Sequence, residues 1–240
     1  MIHLSVVIPA YNEETRIGPT LDEVYNFLSS KKYDFEVILV DDGSRDRTVD
    51  VAASSRLFEE NKLTILKNGS NKGKGSSVKN GIIHSSGEFI LFSDADLSTP
   101  IGEFDKLFGE INKGYDIVIG SRALKDSDVK VHQLWHREVM GKTFNFFVKL
   151  LLMRGLGDTQ CGFKLFKGDA ARKIAFSMKV KGFCFDVEML YLAKIKGYNV
   201  REIGVIWENS PESKVRLFSS PLSMFLDLFA IKRIHKDRQI

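Results

Sequence analysis

Two carboxylates separated by one residue open the chemical reading of this sequence. Asp94 and Asp96 lie in "SDADLSTP", Ser93 to Pro100, directly after the apolar run "EFILF". Magnesium and manganese ions take carboxylate oxygens and bind through one or two carboxylates together with substrate phosphates. In extended backbone, residues i and i+2 point the same way, so Asp94 and Asp96 can converge on one ion. An ion held there would neutralise a departing diphosphate. An acidic turn that merely ends a buried strand has the same composition, and the pair alone leaves both readings open.

Other polar groups follow other apolar runs. "LSVVIPA" ends in Pro9, Ala10, Tyr11, Asn12 and Glu13, an aromatic and an acid suited to stacking on and hydrogen bonding a nucleoside. "FEVILVDDGS" ends in Asp41 and Asp42, acceptors for a base N–H or a ribose hydroxyl. A helix cap is the ordinary alternative for either aspartate. "GSNKGKGS" is a near miss to a phosphate-binding loop. Three residues separate Gly69 from Gly73 where four are needed, and Gly75 follows Lys74 where Ser or Thr is needed. With no G-x-G-x-x-G after the first apolar run, ATP hydrolysis and dinucleotide binding lose ground.

These groups need elements to hold them. Through the first half, continuous apolar runs alternate with helical spacing. The strand patterns are "LSVVIPA", "FEVILVDDGS" running into its acidic turn, "LTILKN", "EFILFSDAD" and "YDIVIGS"; between them lie "EETRIGPTLDEVYNFLSS", "RTVDVAASSRLF", "GSSVKNGIIHSS" and "IGEFDKLFGEI". This alternation predicts a mostly parallel sheet covered by helices on both faces. Ligands of such sheets sit at the carboxyl ends of the strands, which gathers the polar groups above on one edge.

The second half is less regular. A mostly apolar helix is expected over 132–153, with Trp135, Phe144, Phe146 and Phe147. "GDTQCGFKLF" reads as a turn and a strand, "CFDVEMLYLAKIKG" as a helix with Gly197 past its end, and "NVREIGVIW" as one strand. "ENSPESKVRLFSS" has the composition of a mobile lid, and "PLSMFLDLFAIKRIHK" reads as a last helix opened by Pro221.

The chain of 240 residues is 43% hydrophobic and 11% aromatic, enough for a sizeable core. A net charge of +4 gives no case for nucleic acid. Two cysteines without metal-type spacing, Cys161 and Cys184, are expected to be reduced thiols of a cytosolic protein. The start lacks a basic, signal-peptide-like segment, and no window holds about 18 uninterrupted apolar residues. Lys232, Arg233, Lys236 and Arg238 close the last helix pattern, either as a solvated end or as a contact to anionic lipid headgroups.

Taken together, "VVIPAYNE", "LVDDGS", "NKGKG", "DADLSTP" and "GSR", in this order and spacing, closely resemble the family 2 inverting glycosyltransferases of GT-A fold. "GDTQCGFKLF", "FDVEML", Trp207 and Ser213-Lys214-Val215 resemble the branch that glycosylates polyprenyl phosphates, which includes dolichyl-phosphate glucosyltransferases and mannose synthases. The resemblance runs from Leu4 to about Ile234.

It implies an α/β, Rossmann-like GT-A sheet flanked by helices, in one domain. Residues 1–122 would form the nucleotide-sugar half, 123–220 the acceptor side and 221–238 an amphipathic C-terminal helix. Pro9, Ala10, Tyr11, Glu13, Val40, Asp42 and Lys74 would bind the donor, with Asp94, Ala95 and Asp96 at its diphosphate and Mg2+ or Mn2+ on the two aspartates. Arg122 would serve the diphosphate or the acceptor phosphate, and Lys214 the donor. Arg137, Gln160 and Ser213 would lie on the acceptor side, and Asp158 would position the acceptor or act as a base. The sequence lacks the Q-x-x-R-W motif of processive synthases, which argues against polymerisation.

A phosphate acceptor is already anionic and needs cations rather than a strong base. The expected activity is hexose transfer from a nucleotide sugar to a polyprenyl phosphate by a peripheral protein on the cytoplasmic face of a membrane. UDP-glucose is favoured because Trp207 before the Ser-Lys-Val loop resembles the glucosyl branch, which uses that donor. The competing readings are a GDP-mannose-dependent enzyme, a soluble transferase acting on a carbohydrate hydroxyl, and a non-catalytic nucleotide-binding protein.

Overall fold

A computed structural model describes residues 2–130, 135–208 and 219–235, with side chains described throughout except at 135–138 and 219–224. The first half alternates as expected: β1 (Leu4–Ala10), α1 (Ile17–Ser29), β2 (Phe35–Asp41), α2 (Thr48–Ala53), α3 (Arg56–Glu59), β3 (Leu63–Lys67), α4 (Lys74–His84), β4 (Phe89–Ser93), α5 (Phe104–Ile111) and β5 (Ile117–Ser121). Then come β6 (Asp128–Val129), α6 (Trp135–Leu151), β7 (Phe163–Lys167), α7 (Gly168–Ser177), α8 (Phe185–Ile195), β8 (Val200–Gly204), β9 (Ile206–Trp207) and α9 (Ser219–His235).

Seven strands form one sheet in the order β3-β2-β1-β4-β7-β5-β8. All run parallel except β7, which is inserted antiparallel between β4 and β5. The carboxyl ends of β1 to β5 therefore share one edge. Because β7 runs the other way, the loop that feeds it arrives at that same edge, where Ser93 pairs with Phe163. This insertion brings the 158–162 segment beside the Asp94 turn.

The strands alternate in two directions because both sheet faces are covered. Leu4, Val6 and Ile8 of β1 pack with Leu21, Val24 and Leu28 of α1 and with Phe104 and Leu107 of α5. Val7 faces the opposite layer, where Val78 and Ile82 of α4 meet residues from α6, α7, α8 and α9. Each such side chain taken wholly out of water contributes roughly 1.5–3 kcal/mol. Cys161 and Cys184 are buried and unpaired.

Four sequence readings change. "RTVDVAASSRLF" forms two helices, because the Ser55 side chain accepts from Phe58 N and starts α3 afresh. "NVREIGVIW" divides at Val205: β8 ends the large sheet, while β9 pairs with β6 in a separate two-stranded sheet. Helix α7 was not anticipated, since its buried face rests largely on Ala170, Ala171 and Ala175, which leave little apolar periodicity to read. Helix α9 begins at Ser219, so Pro221 falls inside the first turn, where no intrahelical donor is required.

Helices α6 and α9 pack against each other through Phe144 and Phe147 against Phe225, with ring centroids 5.7 and 5.1 Å apart. Phe144, Val148, Leu228 and Ile231 turn inward, while Phe146, Leu150, Leu226 and Phe229 are exposed. Both helices are thus apolar on two sides, and α9 is less strictly amphipathic than expected. Among the described residues no helix is long and apolar enough to cross a membrane.

Candidate active site

The Asp94–Asp96 segment is not extended. β4 stops at Ser93, and Leu97 N donates back to the Asp94 carbonyl at 3.3 Å. Leu97 takes a left-handed φ of 44° to complete the turn. The expectation that i and i+2 point together along a strand is therefore replaced by a turn in which the two carboxylates have different surroundings. Asp94 Oδ1 lies 2.6 Å from Lys74 Nζ, an ion pair without the alignment of a hydrogen bond. Its Oδ2 presses on Gly162, where an added Cβ would come within 2.0 Å. Asp94 N also donates to the Gly162 carbonyl at 3.1 Å. Asp96 is half-buried and accepts from Ser98 N at 3.0 Å. Buried Ala95 accepts the Thr20 hydroxyl at its carbonyl, which fastens the turn to α1.

Lys74 opens α4 and crosses to Asp94 over the rings of Phe92 and Phe185, at 5.6 and 5.9 Å from their centroids. Burial pulls its pKa down, but Asp94 and Asp186 outweigh that and hold it above the usual lysine range. Lys74 is thus a fixed cation at the mouth of β4.

The glycines of "NKGKG" serve packing. Gly73 has a left-handed φ of 97°, and a Cβ there would meet the Lys181 carbonyl at 2.4 Å. Gly75 N and Ser76 N both donate to that carbonyl, at 2.8 and 3.3 Å. These amides at the start of α4 are spent on the protein, in keeping with the departure from a phosphate-binding loop.

Asp41 and Asp42 are both buried and turned toward backbone. Asp41 accepts from Gly43 N and Ser44 N, and Asp42 from Lys72 N at 3.0 Å, Gly73 N at 2.8 Å and Asn68 Nδ2 at 2.8 Å. Asp42 thereby holds the glycine loop at the end of β2; it does not present a bare carboxylate. Pro9, Ala10 and Val40 line the ends of β1 and β2, with Pro9 opposite Val40 in register. Glu13 is bound by Arg16, with Nε 2.7 Å from Oε2, and Tyr11 is half-buried beside it.

On the far side, Arg122 follows β5 and meets Asp158. Nε donates to Oδ2 at 2.6 Å, Nη2 to Oδ1 at 2.9 Å, and the Arg122 backbone N to Oδ2 at 3.1 Å. Burial alone would raise the Asp158 pKa; Arg122 and the backbone donors override it and bring it down to about 2. Gln160 N donates to the same carboxylate. Glu202 of β8 accepts from Gly157 N and Asp158 N, each at 2.7 Å, and so fixes the whole loop. The Arg122 guanidinium lies 5.4 Å from the Trp207 ring.

The edge therefore gathers Pro9, Ala10, Tyr11, Glu13, Val40, Asp42, Lys74, Asp94, Ala95, Asp96, Arg122, Asp158 and Gln160. The Arg137 side chain, Ser213, Lys214 and the rest of the expected lid lie outside the described residues. Glu202, Lys164 and Asp186 were missed by sequence reasoning. Lys164 is the one charged residue of "GFKLF", and Asp186 shares "CFDVEML" with Glu188; a charge inside an apolar run is the signal that could have found them.

Among the described residues, no group of three or more His, Cys, Asp or Glu forms a metal cage. Two carboxylates in one turn do fit a hard divalent cation that takes its remaining oxygens from a substrate. Asp96 is the carboxylate open to that role, while Asp94 is engaged by Lys74.

Residues 5–175 match the family described as Glycosyl transferase family 2. The chain belongs to this family. Like its relatives, this family 2 glycosyltransferase is a hexosyltransferase of GT-A fold. It is 37% identical over 242 residues to a dolichyl-phosphate beta-glucosyltransferase of Dictyostelium discoideum, spanning 96% of this chain and 74% of that one. The Drosophila melanogaster protein of the same name is 39% identical, with the same coverage, and the Homo sapiens one is 36% identical over 95% of this chain and 74% of its own length. Among solved structures, mannosyl-3-phosphoglycerate synthase from Rubrobacter xylanophilus superposes with a TM-score of 0.71 at 19% identity, covering 100% of this chain and 76% of that one. A UDP complex of glucosyl-3-phosphoglycerate synthase from Mycobacterium tuberculosis gives 0.69 at 18% identity, covering 100% and 81%.

Proposed function

We propose that this family 2 glycosyltransferase moves glucose from UDP-glucose to a dolichyl-type polyprenyl phosphate at a membrane surface. The observation that carries the reading is the similarity to dolichyl-phosphate beta-glucosyltransferases across 95–96% of the chain, which takes in the acceptor-side half as well as the donor edge.

The site chemistry agrees. The donor nucleoside lies over the β1 and β2 ends, near Tyr11, and its diphosphate reaches the Asp94–Asp96 turn. Lys74 supplies a fixed positive charge there. Mg2+ or Mn2+ on Asp96 would offset the charge of the departing UDP. A glucosyl-3-phosphoglycerate synthase of the same fold was solved with Mn2+ and UDP-glucose. The acceptor phosphate is an anion and needs no strong base. Asp158, held at a pKa of about 2, is a poor proton acceptor, so it serves to orient Arg122. That pairing uses Nε and Nη2 of the guanidinium; Nη1 points no hydrogen bond at any described residue and is available to the acceptor phosphate.

The exposed Phe146, Leu150, Leu226 and Phe229, with Lys142, Lys149, Lys232 and Arg233 exposed on the same two helices, suit a shallow seat on an anionic bilayer where the lipid acceptor resides. The deciding experiment incubates the protein with UDP-glucose, GDP-mannose and other nucleotide sugars, Mg2+ or Mn2+, and a short polyprenyl phosphate, and detects the glycolipid by mass. A glucosyl lipid from UDP-glucose is the expected product; transfer only to a soluble carbohydrate would refute the reading.

A further inference from the structure

Residues 178–184 join α7 to α8 and belong to neither a helix nor a strand. Backbone of this kind must find its hydrogen-bond partners elsewhere. Two of its amides find one carboxylate: Lys179 N donates to Glu188 Oε1 at 2.8 Å, and Val180 N to Oε2 at 2.9 Å. Glu188 lies in the first turn of α8 and is fully buried. His235, at the end of α9, sets its Nε2 2.8 Å from the same Oε1 and is buried as completely. One carboxylate thus fastens the joining segment to both α8 and α9.

The same segment touches the donor edge. The Lys181 carbonyl accepts Gly75 N at 2.8 Å and Ser76 N at 3.3 Å. A Cβ added to Gly73 would strike the Lys181 carbonyl, and one added to Gly75 the Val180 carbonyl. The contact is backbone on backbone, with no side chain between to absorb a shift. Lys74 stands between these two glycines, and its Nζ reaches Asp94 Oδ1 at 2.6 Å. From His235 through Glu188, Lys179 to Lys181 and the glycine loop to Lys74, every link is a hydrogen bond, a packing contact or a peptide bond.

Stability gives little reason for a carboxylate at position 188. A buried ion costs much of what its partners return, and apolar residues of similar volume are often neutral or better. What an apolar side chain cannot do is hold two successive amides at a fixed distance.

We infer that Glu188 and His235 are positioning residues for the donor site: by fixing the 179–181 backbone against the start of α4, they set where Lys74 stands at the Asp94 turn. The inference rests on the proposed role of Lys74 beside the donor diphosphate. Released from Glu188, the segment withdraws from Gly75, the first turn of α4 loosens, and Lys74 loses the fixed seat from which it meets a diphosphate. Helix α9 thereby bears on nucleotide binding through its last described turn.

The test measures UDP affinity with Mn2+ by calorimetry, with thermal melts to show that each variant is folded at the temperature used. Glu188→Gln keeps the shape of the side chain, but its single carbonyl oxygen cannot serve both amides. It is expected to fold and to bind UDP about tenfold more weakly, within the range that changes along a contact network produce. His235→Leu should show a similar loss, while His235→Gln, which still offers a donor to Glu188, should restore native affinity. In a Lys74→Gln background, Glu188→Gln should add no further loss, because the residue it acts through is gone. The inference is overturned by native UDP affinity in Glu188→Gln, by a Glu188→Gln protein that does not fold, by equal losses in His235→Leu and His235→Gln, or by a loss that persists in the Lys74→Gln background. All four leave the donor-site reading standing. Absence of UDP binding to the unaltered protein, or native affinity in Lys74→Gln alone, overturns both.

Discussion

Arg122 and Asp158 face each other as a two-pronged pair, Nε to Oδ2 at 2.6 Å and Nη2 to Oδ1 at 2.9 Å, between the end of β5 and the loop that leads into β7. Asp158 depends on Arg122 for its low pKa, and Arg122 depends on Asp158 for its direction. The pair therefore links the proposed acceptor-side chemistry to acid stability.

Asp158→Asn should lower turnover sharply while leaving nucleotide binding nearly intact, because the Arg122 fork loses its guide. The stability effect has a defined sign. The folded-state pKa is depressed, so the contribution is present above the unfolded value near 3.8 and disappears as pH falls through about 2. It amounts to no more than about 2 kcal/mol, since Arg122 is partly solvated. Thermal melts from pH 6 to pH 2 should show this loss in the unaltered protein and little of it in the variant.

Asp96→Ala should reduce metal-dependent turnover at least about 100-fold, the scale on which single transition-state contacts to developing charge act. Titration of activity against Mn2+ checks it. Turnover unchanged by the substitution would remove the metal role from this carboxylate.

Gly162→Ala should damage both fold and site. The new methyl would lie 2.0 Å from Asp94 Oδ2 and force the turn away from Lys74. A stability loss of about 1–3 kcal/mol is expected from such overpacking, together with weaker UDP binding. A variant with native melting temperature and native UDP affinity would contradict the geometry.

Helix α9 has two separable faces. Leu228→Ala should destabilise the protein by about 2–5 kcal/mol, since that side chain is fully buried. Leu226→Asp with Phe229→Asp should leave the melting temperature almost unchanged and weaken sedimentation with anionic liposomes. Equal liposome binding would sink the membrane-seat reading.

The first half was legible because its elements announce themselves locally: five apolar strand runs, each ended by a polar turn, with helices between. Parallel pairing follows from that alternation. The antiparallel entry of β7 does not, because "GFKLF" gives no sign of which neighbours it will have. Hence the meeting of Asp158 with Arg122, and of Gly162 with Asp94, was not legible in the sequence. Individual roles were less legible than positions. Asp42 is an acid at the right strand end, yet its oxygens are taken by Lys72 N, Gly73 N and Asn68, contacts made by a loop thirty residues on. Lys164 and Asp186 carry meaning only as partners, and nothing in spacing pairs a strand lysine with a helix-start aspartate.

The insertion of β7 also governs when the site can come into being. During synthesis, the first 122 residues emerge with β4 and β5 complete, yet those strands are not neighbours; the place between them belongs to Phe163–Lys167. Until that segment leaves the ribosome, the Asp94 amide has no Gly162 carbonyl to bond, and Arg122 has no Asp158. A nascent chain cannot complete this edge of the sheet, where Asp94 and Arg122 meet their partners, before that point. Stalled chains ending near residue 130 should hold UDP more weakly than chains released past β8, so that full affinity for the ligand appears only after β7 has joined the sheet.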